Sequence, residues 1–165
     1  MKSALLSFAF LFLASTAKSD EESARLKELD AFWDTISKAV KTGDFASYQQ
    51  TCHPEAILVS GSKKTAYPLA QALRRWKTEF DNTRLNKRTS TVSFRFQKRY
   101  GSATSAHESG MLFYSFQDQN KELSKTYIHF EALLTKKNGH WLLIMENQKS
   151  TGTQEEWEAL AKKNS

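Results

Sequence analysis

Residues 125–148 read KTYIHFEALLTKKNGHWLLIMENQ, and the reading of this stretch decides the fold. Asn138-Gly139 suits a two-residue hairpin turn, because both residues tolerate the positive φ such a turn needs. A turn there pairs Lys137 with His140. Counting outward, Leu134 meets Leu143, Ala132 meets Met145 and Phe130 meets Asn147 on one face. Leu133 meets Ile144 and Glu131 meets Glu146 on the other. The first face is almost wholly apolar and is expected to lie against helices. On the second, two carboxylates directly opposite each other are unfavourable by roughly 0.2–1 kcal/mol, which His129 or Arg95 would relieve. One extra residue in either strand would exchange the two faces beyond it.

Upstream, two further strands are expected. Thr89 to Tyr100 alternates, with Val92, Phe94 and Phe96 on one face and Ser93, Arg95 and Gln97 on the other. Ser105 to Phe116 follows after a turn at Gly101-Ser102. Earlier still the period changes to that of helices. Leu26, Leu29, Phe32, Trp33, Ile36 and Val40 line one face of a long helix, opened by a Ser19-x-x-Glu22 capping box and stopped at Gly43. Asp44 caps a short helix through Tyr48. Ala56 to Ser60 is a short buried strand. Gly61 to Lys64 is a loop, and Pro68 opens a third helix with Leu69, Leu73, Trp76 and Phe80 on its inner face. Residues 151–165 form a tail with a short helix that can dock through Trp157 and Leu160. Helices followed by a strand meander predict an α+β domain with its helices on one face of an antiparallel sheet.

The first residues have a different character. Lys2 is followed by an apolar run from Ala4 to Ala14 and by Ser15-Thr16-Ala17. This is the pattern of a cleavable export signal over residues 1–17, leaving a domain over 18–150. The run is shorter than the roughly 20 apolar residues of a membrane span, and no cysteine stands at the cleavage point for a lipid. The expected destination is the periplasm or the extracellular space. The net charge is +6, with basic clusters at Lys63-Lys64, Arg74 to Lys77, Arg84 to Arg88 and Lys98-Arg99. With no nucleic-acid motif and an exported chain, these read as solvated surface, and neither nucleic acid nor membrane is expected as a partner. The single cysteine, Cys52, excludes an internal disulfide and falls at a packed helical position. The four histidines show no ligand spacing, so no metal or other cofactor is expected.

The segment AFWDTISKAVKTGDFASYQQTCHPEAILVSG (31–61) and the ending KKNGHWLLIMENQKS (136–150) resemble the nuclear transport factor 2-like superfamily. The likeness covers about residues 25–150 and looks closest to SnoaL-like members and related exported domains of unassigned function. It implies a cystatin-like cone: a curved sheet wrapped round the long helix, with an apolar pocket at the open end. The superfamily holds isomerases, cyclases, dehydratases, kinase association domains and transport adaptors, so fold alone does not assign function. By this resemblance the isomerase base falls near Ser60, and a polar position of the third long strand falls near Ala132. Neither residue can abstract a proton.

The residues expected to contact a ligand are Trp33, Ser60, Tyr67 and Trp76, with His107, Ser109 and Met111 sharing one strand face with Phe113, and Asn147 as the orienting polar group. His53 is read as a helix end or pocket-mouth residue, and His129 and His140 as outward-facing. No catalytic set is assigned. Three readings follow. The first is an exported pocket binding a small apolar molecule without chemistry. The second is an isomerase, cyclase or dehydratase with His107 or Glu146 as base, which requires a shifted register. The third is a dimeric interaction module with a filled pocket. Leu133, Leu142 and Ile144 on the outer sheet face lead to the expectation of a homodimer through the sheet.

Overall fold

In a computed structural model of the chain, residues 7–163 are described, with side chains described over 19–161. Met1 to Leu6, with the charged start of the expected export signal, lie outside the described residues. The first helix, α1, spans Ser7–Thr42 without a break. The capping box at Ser19 therefore does not start it: nothing between the apolar run and Leu26 is a glycine or proline, so nothing interrupts the helix. No helix among the described residues is long and apolar enough to cross a membrane.

Gly43 ends α1 at φ +71°, where a Cβ would lie 2.5 Å from the Phe80 carbonyl oxygen. The chain turns there into α2 (Phe45–Gln50), whose free N–H at Ser47 donates to Asp44 Oδ1 at 3.0 Å. That bond, with a second from the Ser47 hydroxyl, holds the Asp44 carboxyl below its ordinary range. Strand β1 (Cys52–Ser60) follows. A short edge strand, β2 (Thr65–Pro68), pairs back on it and leads into α3 (Leu69–Arg84). Four long strands complete the sheet: β3 (Arg88–Gly101), β4 (Ser105–Asp118), β5 (Ser124–Lys137) and β6 (His140–Thr151). Helix α4 (Gln154–Lys163) ends the described chain.

The strand order is β2-β1-β6-β5-β4-β3. β3 to β6 form the expected antiparallel meander. β1, however, runs parallel to β6, so the sheet is mixed rather than antiparallel throughout. The crossover through α3 causes this. It carries the chain from one edge to the other, and the meander then returns beside β1 in the same direction.

The hairpin register differs from the simple count. Lys137 pairs with His140 and Leu134 with Leu143, as expected. One residue is then extra in β6, and Leu133 meets Met145, Ala132 meets Glu146 and Glu131 meets Asn147. Glu131 and Glu146 are thus on opposite faces. Lys149 Nζ, at 2.9 Å, takes the neutralising role expected of His129 or Arg95 and holds the Glu131 carboxyl below its usual range. The inner face does carry Phe130, Ala132 and Leu134, all at most 1% exposed, against Leu29, Phe32, Trp33 and Ile36 of α1. On the outer face α4 covers one end of the sheet. Trp157 packs 5.8 Å from the ring of Phe113, and the Arg95 guanidinium lies 4.1 Å from its ring.

Candidate functional site

The cone encloses a cavity of about 430 Å³ between the helices and the inner sheet face. α1 supplies Trp33, Ile36 and Val40, α2 supplies Tyr48, and α3 supplies Trp76, Glu79, Phe80 and Thr83. From the sheet come Arg88, Ser90, Val92 and Phe94 of β3, Leu112, Tyr114 and Phe116 of β4, Ile128 and Phe130 of β5, and Glu146 and Gln148 of β6. The helical period delivers the first group and strand alternation the second. The wall is dominated by aromatic rings and aliphatic groups.

Two ionic features mark the cavity. Near its rim Arg88 pairs with Glu79 of α3 and, at 2.7 Å, with Asp118 of β4, its guanidinium 4.2 Å from the Phe116 ring centre. Glu146 is 9% exposed and has no cationic partner among the described residues. Gln148 Nε2 donates to its Oε1 at 2.8 Å. Burial pushes the Glu146 carboxyl above its ordinary value, only partly offset by that hydrogen bond. Burial, reinforced by Glu146, also raises the Tyr48 hydroxyl well above its usual range. Cys52, beside them, is half-buried at the start of β1 rather than on a helix, and burial pushes its thiol up to about 11.

Behind the cavity the narrow end is filled. Glu108 is fully buried and accepts from Trp33 Nε1 at 2.5 Å and from Arg99 Nε. Arg99 also donates to Asp30 Oδ1 at 2.5 Å, and its guanidinium stacks on Phe96. The indole of Trp33, wedged among Phe94, Phe96 and Phe130, is thereby fixed at both its polar and apolar edges. The cone is filled at this end and open at the other.

Of the expected ligand residues, Trp33 and Trp76 line the cavity. The others do not. Tyr67 sits on β2, its hydroxyl accepting from Arg75 Nη2 at 2.8 Å. Ser60 is buried at the end of β1, beside Gln148 in register and 3.5 Å from the Ser62 hydroxyl. His107, Ser109 and Met111 lie on the outer face. His107 stacks against Tyr100, Ser109 opposes Glu131, and Met111 is buried beneath the β6–α4 connection at Gly152. Asn147 is carried outward by the extra residue in β6 and donates weakly to Glu131. The same extra residue brings Glu146 inward. Of the two bases named for an enzymatic reading, Glu146 faces the cavity and His107 does not.

His53 Nε2 lies 3.2 Å from Lys137 Nζ, outside this cavity, and His129 pairs with Glu156 of α4 at 3.2 Å. Among the described residues no three His, Cys, Asp or Glu side chains are placed to hold a metal. The sequence reading missed Glu108, Tyr48, Arg88, Tyr114 and Gln148. Both faces of β4 mix apolar and polar residues, with Met111 and Phe113 on the outer one and Leu112 and Phe116 on the inner, and alternation alone could not say which faces the helices.

Residues 25–152 match the calcium/calmodulin dependent protein kinase II association domain family. No curated protein sequence matches the chain significantly. Among solved structures, the chain is similar to the association domain of C. elegans CaMKII, with 18% identity, 79% of this chain and 99% of that one covered, and a TM-score of 0.58. It is similar to an NTF-2 like protein of unknown function from Shewanella oneidensis, at 15% identity, covering 74% and 97%, with a TM-score of 0.57. A conserved protein from Planctomyces limnophilus gives a TM-score of 0.64 at 10% identity, covering 76% and 94%. At these identities the structures establish the fold, which is that of the nuclear transport factor 2-like superfamily.

Proposed function

The chain belongs to the calcium/calmodulin dependent protein kinase II association domain family, and from that premise we propose that it binds a small, largely apolar molecule in its cone. The observation that carries this reading is the cavity itself: about 430 Å³, within the size range of small-molecule sites, mostly apolar, with a few convergent polar groups. A thermal-shift screen with steroids, polyketides and fatty acids tests it. At least one class is expected to raise the melting temperature of the wild-type chain, and Ile128→Trp, which fills the cavity, is expected to abolish the rise. No shift with any class would remove the reading.

The association role that names the family is supported by a second feature. Ile57, Met145, Leu133, His107 and Tyr100 are register neighbours across β1, β6, β5, β4 and β3 on the outer face. Ile57 is 45% exposed, Leu133 37% and Tyr100 59%. A row of this kind is a candidate seam for a second copy of the chain. In light scattering the wild-type chain is expected at the mass of a dimer or larger assembly and Leu133→Asp at that of one chain. A monomeric wild type would refute the seam.

The enzymatic alternative is favoured only by the place of Glu146. It would require a bound carbonyl compound to exchange its α-protons with deuterated water in the presence of the wild-type chain and not of Glu146→Gln. Export through residues 1–17 is likewise a proposal. The family match begins beyond this segment, at residue 25. N-terminal sequencing of protein recovered outside the cytoplasm would give Lys18 first if cleavage follows Ala17; retention of Met1 would oppose it.

A further inference from the structure

Among the described residues, Glu146 is the acidic group of the cavity wall that has no cation paired with it. Glu79, the other carboxylate there, is paired with Arg88, and Arg88 is engaged again by Asp118. Glu146 receives a single hydrogen bond, at Oε1 from the neutral Gln148 amide. Tyr48, Trp76 and Phe80 from the helices line the same cavity, and Tyr48 is near enough for the Glu146 charge to raise its hydroxyl. Tyr48 already packs edge-to-face with Trp76, ring centres 6.2 Å apart, and lies tilted against Phe80 at 5.1 Å.

A buried carboxylate is costly unless a positive charge or several donors meet it. Electron-rich ring faces attract cations, and a cage of rings beside a carboxylate is the usual means of holding an ammonium group in an apolar site. The two demands have one common solution. Resting on the proposal that the cone binds a small molecule, we propose that its ligand is an organic amine. The ammonium group sits against Glu146 among the rings of Tyr48, Trp76 and Phe80, and the apolar body extends along Val92, Leu112 and Ile128.

The charge states around the carboxyl give the proposal a second signature. Tyr48 of α2, Cys52 of β1, Glu79 of α3, Arg88 of β3 and Tyr114 of β4 are the titratable or charged groups facing this region. Tyr48 and Cys52 are held protonated far above neutral pH, and Arg88 remains charged. Burial raises the Glu146 carboxyl, so as pH falls Glu146 loses the charge that would hold an ammonium, while Tyr48, Cys52 and Arg88 keep their charge states.

The test compares 4-phenylbutylamine with 4-phenylbutan-1-ol, which has a similar body and no charge, by calorimetry on the full chain. The amine is expected to bind the wild type at least about tenfold more tightly than the alcohol, a difference of about 1.4 kcal/mol. Its affinity is expected to fall between pH 8 and pH 4, as the loss of the Glu146 charge requires. In Glu146→Gln, with its fold checked by circular dichroism, the preference is expected to vanish while the alcohol still binds. Equal or tighter binding of the alcohol to the wild type would overturn the amine and leave the pocket standing. Binding of neither probe would count against the pocket itself. If Glu146→Gln does not fold, a wild-type affinity for the amine that is unchanged between pH 8 and pH 4 would suffice to overturn the proposal.

Discussion

Substituting Glu108 by glutamine probes the closed end of the cone. The change keeps the side-chain shape and removes one charge from a site with no solvent exposure. Breaking a buried ion pair by removing one partner costs about 3–5 kcal/mol, because the other charge is left in a poor solvent. Here Arg99 keeps Asp30, whose carboxylate is 59% exposed and so only weakly compensating. The glutamine amide oxygen can still accept from Trp33 or Arg99 but not from both as a charged acceptor. The expected loss therefore lies near the lower bound, about 3 kcal/mol. For a domain of this size that lowers the melting temperature by roughly 6–12 °C. Denaturant titration and calorimetry of the two proteins measure it. The double substitution Glu108→Leu, Arg99→Met should recover most of the loss, since an apolar replacement of a buried pair is often neutral. A single-substitution loss below about 1 kcal/mol would refute the reasoning, showing that the Glu108 site is hydrated or that Trp33 is held by packing alone.

Gly110→Ala should destabilise by about 1–3 kcal/mol, because a Cβ there would stand 2.0 Å from the Arg95 carbonyl oxygen and the obstructing atoms are backbone; urea titration reads it, and an unchanged midpoint would contradict the close approach of β3 and β4. The dependence on pH follows from Glu146. Its carboxyl is raised by burial in the folded chain, so its neutral form favours folding below the ordinary glutamate range, and stability is lost as pH rises through the folded value. Glu146→Gln should therefore gain stability relative to wild type on going from pH 4 to pH 8, as followed by thermal melts at both; a constant difference would show that Glu146 titrates normally.

The sequence disclosed the helices, the long strands and the hairpin turn because each carries a local signal. Gly43 needs positive φ, Asp44 caps, Asn138-Gly139 turns, and Leu69, Leu73 and Phe80 recur at helical spacing. β2 escaped notice because Thr65–Pro68 is four residues at an edge, with no alternation to read. The parallel pairing of β1 with β6 depends on residues far apart in the chain. The candidate site was less legible. Trp33 and Trp76 lie on helices, where the inner face is unambiguous, and both line the cavity. The errors fell on strands. His107, Ser109 and Met111 were displaced by the wrong face of β4, and Asn147 by the residue added at β6.

That added residue has a wider meaning. From Leu143 to Met145, β6 takes one step more than β5 beside it, and the side chains from Met145 to Gln148 change sides until a second added residue, between Gln148 and Ser150, ends the shift. The polarity of the cavity is thus written in a count as well as in an alphabet. Shortening β6 by one residue would exchange Glu146 and Gln148 for the neighbouring side chains without altering any letter of the remaining strand. Relatives that differ by one residue at this step would share a fold and a nearly identical strand, yet enclose interiors of opposite chemical character.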